Sequence, residues 1–213
     1  MSEELQTEET AVLEESRPRK KKKVWLGLVV VLLVASIGGG LFWKHVQTVK
    51  AEEAAAEAKK KAIKNYEKNM GLALAAAIVV GTHSEKMADQ YHDVWYSAIF
   101  NDRYTTSDGT KHSYGSFNQA IKDQNSVYEQ SGDNLKLLSE MVVFEGYMNK
   151  LKNPPSKYEQ LYQELVDLYA TASSFEKLAE SPSGSLQSYT NEFNQRDSEL
   201  AEKIKSLQVQ LPE

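Results

Sequence analysis

The sequence predicts an all-α fold: an N-terminal transmembrane helix followed by an antiparallel bundle of three to four helices. Three features lead there. Residues 24–43 run for twenty positions without a charge. Later segments repeat apolar side chains every three or four residues, the period of an amphipathic helix. No two neighbouring segments alternate apolar and polar residues around a hairpin turn, so strands are not expected.

Residues 1–23 read as a disordered cytoplasmic tail ending in a basic flank. Glu3, Glu4, Glu8, Glu9, Glu14 and Glu15 leave too little apolar surface to offset the entropy of ordering. Arg17, Arg19, Lys20, Lys21, Lys22 and Lys23 then stand directly before the apolar run, whereas Lys44 and Lys50 after it are diluted by Glu52 and Glu53. Lys and Arg flanks stay on the cytoplasmic side, which puts residues 44–213 outside the cell membrane. A nuclear address or nucleic-acid patch competes for such a run, but its place against the apolar segment favours topology.

Val24 to Trp43 is the expected single-pass anchor. At 1.5 Å per residue it spans roughly 30 Å, the thickness of a hydrocarbon core. Trp25 and Trp43 mark its ends, where amphipathic rings favour the interface. A cleaved signal peptide, cut near Ala35, Ser36 and Gly38, is the alternative; the length of the run favours an uncleaved signal anchor. Ala35 with Gly39, and Ser36 with Gly40, put small residues on one face, an option for self-association within the membrane.

Residues 44–69, rich in Ala, Glu and Lys, are strong helix formers and read as a helical stalk, or as a cover for one side of the bundle. The bundle domain is placed at 70–211. Met70–Val80 is apolar but too short to span a bilayer and reads as a buried helix, with a hairpin-like membrane insertion as the alternative. Gly81 and the capping-box spacing Thr82–Glu85 predict a kink and restart, with Met87, Tyr91, Val94, Trp95 and Ile99 inward. Residues 102–114 break the pattern around a Ser107-Asp108-Gly109 turn; a short helix near 117–122 or a longer loop follows.

Leu137, Met141, Phe144, Met148 and Leu151 share one helix face, closed by Asn153-Pro154-Pro155. Ser156–Glu159 has capping-box spacing before the face Tyr158, Leu161, Leu165, Leu168, Ala172, Phe175 and Ala179. After the stop at Ser181–Ser185 comes a last stripe, Leu186, Tyr189, Phe193, Leu200, Ile204, Leu207 and Leu211, with Asp197 in its middle. Short connections between such helices make antiparallel neighbours.

Composition bounds the function. Of 213 residues, 41% are hydrophobic and 26% charged, enough for one domain beyond the anchor. The net charge of −5 lies wholly after residue 43, because acids and bases cancel before it. Such a domain lacks the clustered Lys and Arg that phosphate contacts need, so no nucleic-acid partner is expected. With no cysteine, disulfides, thiolate metal sites, a cysteine nucleophile and a lipobox anchor are excluded.

No catalytic constellation is legible, and neither enzyme activity nor a cofactor is expected. The histidines are His45, His83, His92 and His112, without the His-Glu-x-x-His spacing of a helical zinc site. His83 and His92, nine apart, fall on opposite helix faces. Asp89, His92 and Asp93 are the nearest thing to an ion site, against the plain reading of a solvated helix surface. No nucleophile elbow or phosphate loop appears, Gly38–Gly40 lies inside the span, and Glu140 and Glu145 are not distinguishable from surface carboxylates.

The most unusual stretch is Tyr91–Tyr104, with five aromatics. Tyr91, Tyr96, Arg103 and Tyr104 are the candidate partner-binding residues, since exposed Tyr, Trp and Arg make hot spots. The competing reading packs them inside the bundle's end, with Trp95 in and Tyr104 out as a compromise.

Asn153-Pro-Pro-Ser-Lys-Tyr158, Tyr162, Leu168-Tyr169 and Pro182-Ser-Gly-Ser-Leu-Gln-Ser-Tyr189 with Asp197 resemble small helical envelope proteins of Gram-positive bacteria, some carried by prophages. The resemblance covers roughly residues 85–210 and transfers no site residues. It implies a bacterial cell-surface location, a non-enzymatic role and, for phage-related members, exclusion of a second phage. The expectation is an extracytoplasmic interaction module that binds an envelope or membrane protein. A spacer or oligomeric scaffold, or a regulatory subunit of an envelope enzyme, is the alternative.

Overall fold

A computed structural model describes the backbone of residues 21–113 and 116–211, and side chains from His45 onward within those ranges. Its elements are α1 (Lys21–Phe100), β1 (Arg103–Thr105), β2 (Lys111–Ser113), α2 (Phe117–Ser131), α3 (Asp133–Leu151), a 3-10 turn (Ser156–Tyr158), α4 (Glu159–Glu180) and α5 (Leu186–Gln210). The chain divides into two units, Met1–Ala58 and Lys59–Glu213. Among the described residues, no helix is long and apolar enough to cross a membrane. The expected anchor, with Val24, Trp25 and Trp43, and its flank lie outside the residues whose side chains are described.

In the second unit, α1 contributes one continuous buried stripe: Tyr66, Met70, Ala73, Ala77, Val80, Met87, Ala88, Tyr91 and Trp95. Large side chains alternate with alanines, so partner helices approach closely where the side chain is small. The predicted inward faces of α3, α4 and α5 all meet this stripe. Leu137, Phe144, Leu151, Leu165, Leu168, Phe175, Tyr189, Leu200 and Leu207 join it in one core. Tyrosine hydroxyls tie the helices together at its edges: Tyr66 donates to the Leu151 carbonyl (3.0 Å), Tyr128 to Met87 (3.2 Å) and Tyr189 to Ala88 (3.1 Å). A helical carbonyl has a second lone pair, so these bonds leave the ladder intact.

Several expectations are corrected. Among the described residues five α-helices contribute to the unit rather than three or four, because residues 117–131 form a full helix. Ser116 caps its start by accepting from the Gln119 N–H, and Gly132 ends it in the left-handed region, φ 80°. The core begins at Tyr66, inside the expected stalk; only the part from His45 to Ala62 is solvated, save half-buried Val46. The helix does not stop and restart at Gly81 but runs through it. A helical glycine costs roughly 1 kcal/mol, but a Cβ there would lie 2.7 Å from Leu200 Cδ2, so its absence lets α5 close on α1. Thr82–Glu85 is therefore mid-helix and caps nothing.

Ser156–Glu159 does not form a capping box either. The two prolines deliver the chain into a 3-10 turn, with the Tyr158 N–H on the Pro155 carbonyl at 2.7 Å, and α4 starts without a side-chain cap. The capping box in the structure is Ser185 with Ser188 at the start of α5, after Gly184 at φ 85°. Ile99, expected inward, is exposed.

Strands, not expected, do occur: β1 and β2 pair antiparallel with Arg103 opposite Ser113, Tyr104 opposite His112 and Thr105 opposite Lys111. Three residues are too few to show alternation. The pairing is fixed by the turn between them, where Gly109 at φ 86° donates to the Thr106 carbonyl and Asp108 accepts from Thr106 and Thr110.

Two substitutions test the packing with opposite signs. Tyr189→Phe removes a hydroxyl that joins α5 to α1 and is expected to lower Tm by about 2–4 °C, the equivalent of about 1 kcal/mol. Ser84 is fully buried and its Oγ has no hydrogen-bond partner, so Ser84→Ala is expected to raise Tm. Calorimetry showing no change for the first, or a loss for the second, would contradict this account of the core.

Candidate functional site

The C-terminal end of α1, with the hairpin beside it, gathers the groups that packing does not consume. Gln90, Asp93 and Ser97 fall at helical spacing along one face of α1, and Asn101 continues the row just past its end. With Arg103, Thr105, Ser107 and Gly109 they line a polar cleft of about 800 Å³. Gln90 Nε2 donates to the Thr105 carbonyl at 3.3 Å, which joins the two walls.

On the adjoining face, His92, Tyr96 and Phe100 follow at four-residue spacing: His92 stacks on Tyr96 with centroids 6.0 Å apart, and Tyr96 meets Phe100 at a tilt of 43°, 4.7 Å away. Tyr96 is 47% and Phe100 63% exposed, and Ile99 and Phe117 are exposed as well. Exposed single apolar residues are ordinary, but two exposed aromatic rings in contact beside a polar cleft are an arrangement that protein partners use as an anchor.

The structure therefore divides the four predicted binding residues. Tyr96 and Arg103 are outside. Tyr91 is fully buried, its ring edge-on to Tyr128 at 5.3 Å and its hydroxyl donating to Asn125 Oδ1 at 3.1 Å. Tyr104 is only 4% exposed and donates to Asp123 Oδ2 at 2.5 Å, the reverse of the Trp95-in, Tyr104-out expectation for Tyr104. Trp95 is buried against Tyr189, as expected. Burial drives the Tyr91, Tyr128, Tyr189 and Tyr104 hydroxyls well above the ordinary phenol range, so all four act as neutral donors.

What holds the hairpin is a network that the sequence did not reveal. His112 stacks on Tyr104 at 4.7 Å and turns Nδ1 towards Asp123 Oδ2 at 3.3 Å. Gln124, fully buried, accepts from the Ser107 N–H (2.9 Å) and donates to Ser107 Oγ (2.7 Å). Burial raises the Asp123 carboxyl, but hydrogen bonds from Tyr104 and Gln119, with His112 beside it, outweigh this and hold it below the ordinary range. Asp108 is held down to about 2, first by the Thr106 hydroxyl and then by the Thr110 N–H and hydroxyl. The helical spacing of Ala120, Gln124 and Tyr128 was the available signal for α2, with a buried amide in the middle of the face.

Thr106, His112 and Asp123 form a hydroxyl–imidazole–carboxylate line, with Thr106 Oγ1 3.4 Å from His112 Nε2. Nucleophilic catalysis needs the hydroxyl proton directed at the imidazole and the oxygen open to substrate. Here the hydroxyl donates to Asp108 Oδ1 at 2.6 Å and Thr106 is buried, so the line braces the turn.

Asp89, His92 and Asp93 bring one ligand atom each within 4.8 Å of one another on a largely solvated helix edge. His83 lies elsewhere, with Nδ1 2.8 Å from Glu140 Oε2 and Nε2 3.9 Å from Asp133 Oδ1, and links α1 to α3. Near the start of the unit, Glu67 accepts from Lys157 (3.2 Å) and from the Tyr158 hydroxyl. Compared with protein-family models, curated proteins and solved structures, the chain matches none.

The hairpin clasp carries a pH dependence. A depressed carboxyl contributes stability that is present above its unfolded value and is lost as pH falls through its folded value. Asp123→Asn is thus expected to lower Tm at neutral pH and to flatten the fall in Tm on acidification below the carboxylate range. Parallel pH profiles for parent and variant would contradict the clasp.

Proposed function

We propose that this chain is a non-enzymatic interaction module on the outer face of a bacterial cell membrane, binding another envelope or membrane protein through the exposed end of α1. The observation that carries the reading is the solvent-facing pair Tyr96 and Phe100, with Ile99 alongside and Arg103 in the neighbouring polar cleft. Aromatic side chains lose little conformational entropy per unit of area buried, and arginine is enriched beside them at hot spots, which suits this surface to anchoring a partner. The hairpin behind them is braced by Tyr104, His112, Asp123 and Gln124, so the surface is pre-organised.

The location rests on the sequence. Residues 24–43 have the length and tryptophan ends of a single-pass anchor, and Arg17–Lys23 keep the N-terminal side in the cytoplasm. Exclusion of a second phage is the specific form of the role that the resemblance to envelope proteins suggests.

Photo-crosslinking tests the assignment. A benzophenone side chain at Phe100 of the full chain, in the native membrane, is expected to trap one discrete envelope protein. Tyr96→Ala with Arg103→Ala is expected to reduce that product roughly 30-fold, as loss of a 2 kcal/mol hot spot would. Equal yield from a probe at exposed Gln195 on α5, or a yield indifferent to the double substitution, would contradict it.

A further inference from the structure

The hairpin leaves one strand edge unfilled on the cleft side. Next to the strands, the Thr106 N–H donates to the Thr110 carbonyl at 3.0 Å, which marks these two as a hydrogen-bonded pair. Bonded and non-bonded pairs alternate along an antiparallel ladder, so Tyr104 and His112 are the next bonded pair. Arg103 and Thr105 therefore turn their N–H and C=O groups away from β2. Gln90 Nε2 on α1 reaches the Thr105 carbonyl at 3.3 Å, so this edge looks across the polar cleft to α1. Among the described residues, the Arg103 N–H, the Arg103 carbonyl and the Thr105 N–H have no partner, and both residues are exposed.

Backbone groups in that arrangement match one chemistry closely. An extended polypeptide offers N–H and C=O groups to one side at a two-residue repeat, the repeat at which Arg103 and Thr105 offer theirs. We infer that the partner enters the cleft as an extended segment and adds to β1 as a third strand. This rests on the reading of the α1 end as a protein-binding surface, and it names the form in which the partner arrives. A segment of about four residues satisfies all three free groups. Gln90 already fills the fourth place, at the Thr105 carbonyl.

The edge is held ready for such a segment. Tyr104 is tied to Asp123, Ser107 to Gln124, and Asp108 gathers the turn through Thr106 and Thr110. Little of this chain is left to order when the segment docks, which favours binding. Across the cleft, Asp93, Ser97 and Asn101 offer acceptors and donors to the segment's other edge. An exposed strand edge invites open-ended pairing, but the three residues of β1 admit only one short segment.

Photo-crosslinking from inside the cleft, with the full chain in native membranes, tests this. Benzophenone at exposed Asn101 is expected to trap the same protein as benzophenone at Phe100, and to mark one contiguous stretch of it. Proline is tolerated where a strand's N–H faces away from the ladder. Thr105→Pro is therefore expected to cut the Asn101 product roughly tenfold, while Thr105→Ala, which keeps the N–H, leaves it in place. If Thr105→Pro lowers Tm, the same contact is read from the other side, by proline placed in turn along the trapped stretch. Strand addition predicts loss at every second position. Loss at three- or four-residue spacing, no loss at any position, a folded Thr105→Pro chain with undiminished product, or a product with a second copy of this chain would each overturn the inference. A Phe100 product without an Asn101 product overturns it and leaves the protein-binding surface standing, whereas no product at either position removes both.

Discussion

Burial of one stripe of α1, from Tyr66 to Trp95, is the constraint around which the second unit is organised. The stripe offers large side chains at Met70, Met87, Tyr91 and Trp95 and gaps at Ala73, Ala77 and Ala88. The gaps let the other helices come close enough for tyrosines from α2 and α5 to reach the adjacent carbonyls of Met87 and Ala88. Position in this network is set by hydroxyl reach as well as by area, because a buried phenol without an acceptor would carry a desolvation cost of its own. The same tyrosines that order the core hold α2 in place, and α2 in turn supplies Asp123 and Gln124 to the hairpin. Core and candidate surface are thus connected through α2.

Much of this was legible in the sequence. The inward faces of α3, α4 and α5 follow directly from three- and four-residue spacing, and Pro154-Pro155 ends α3 as proline chemistry requires. What escaped was decided by tertiary contact. Gly81 reads as a breaker until Leu200 is placed against it. The strands of the hairpin are too short to carry a pattern, and their pairing depends on Asp108 gathering Thr106 and Thr110. Gln124 looks like a surface amide until Ser107 folds back over it.

The candidate site was half visible for a similar reason. Tyr91 and Tyr96 are five residues apart, roughly 140° around a helix, so they could not share a face. Composition singled out the stretch, but only the position of the core says that Tyr91 points in and Tyr96 out. Tyr104 is drawn inside by a carboxylate nineteen residues later, a pairing that no local rule anticipates.

The aromatic end of α1 is the surface proposed to meet another envelope protein. Placing it on the outside of the membrane is the central claim, and topology tests it most directly. Ser113 is exposed on β2 and the chain has no cysteine, so Ser113→Cys can be treated in intact cells with a membrane-impermeant maleimide. Labelling in intact cells is the result this account predicts. Protection, with labelling appearing only after lysis, would contradict it and turn the basic flank into something other than a topological signal.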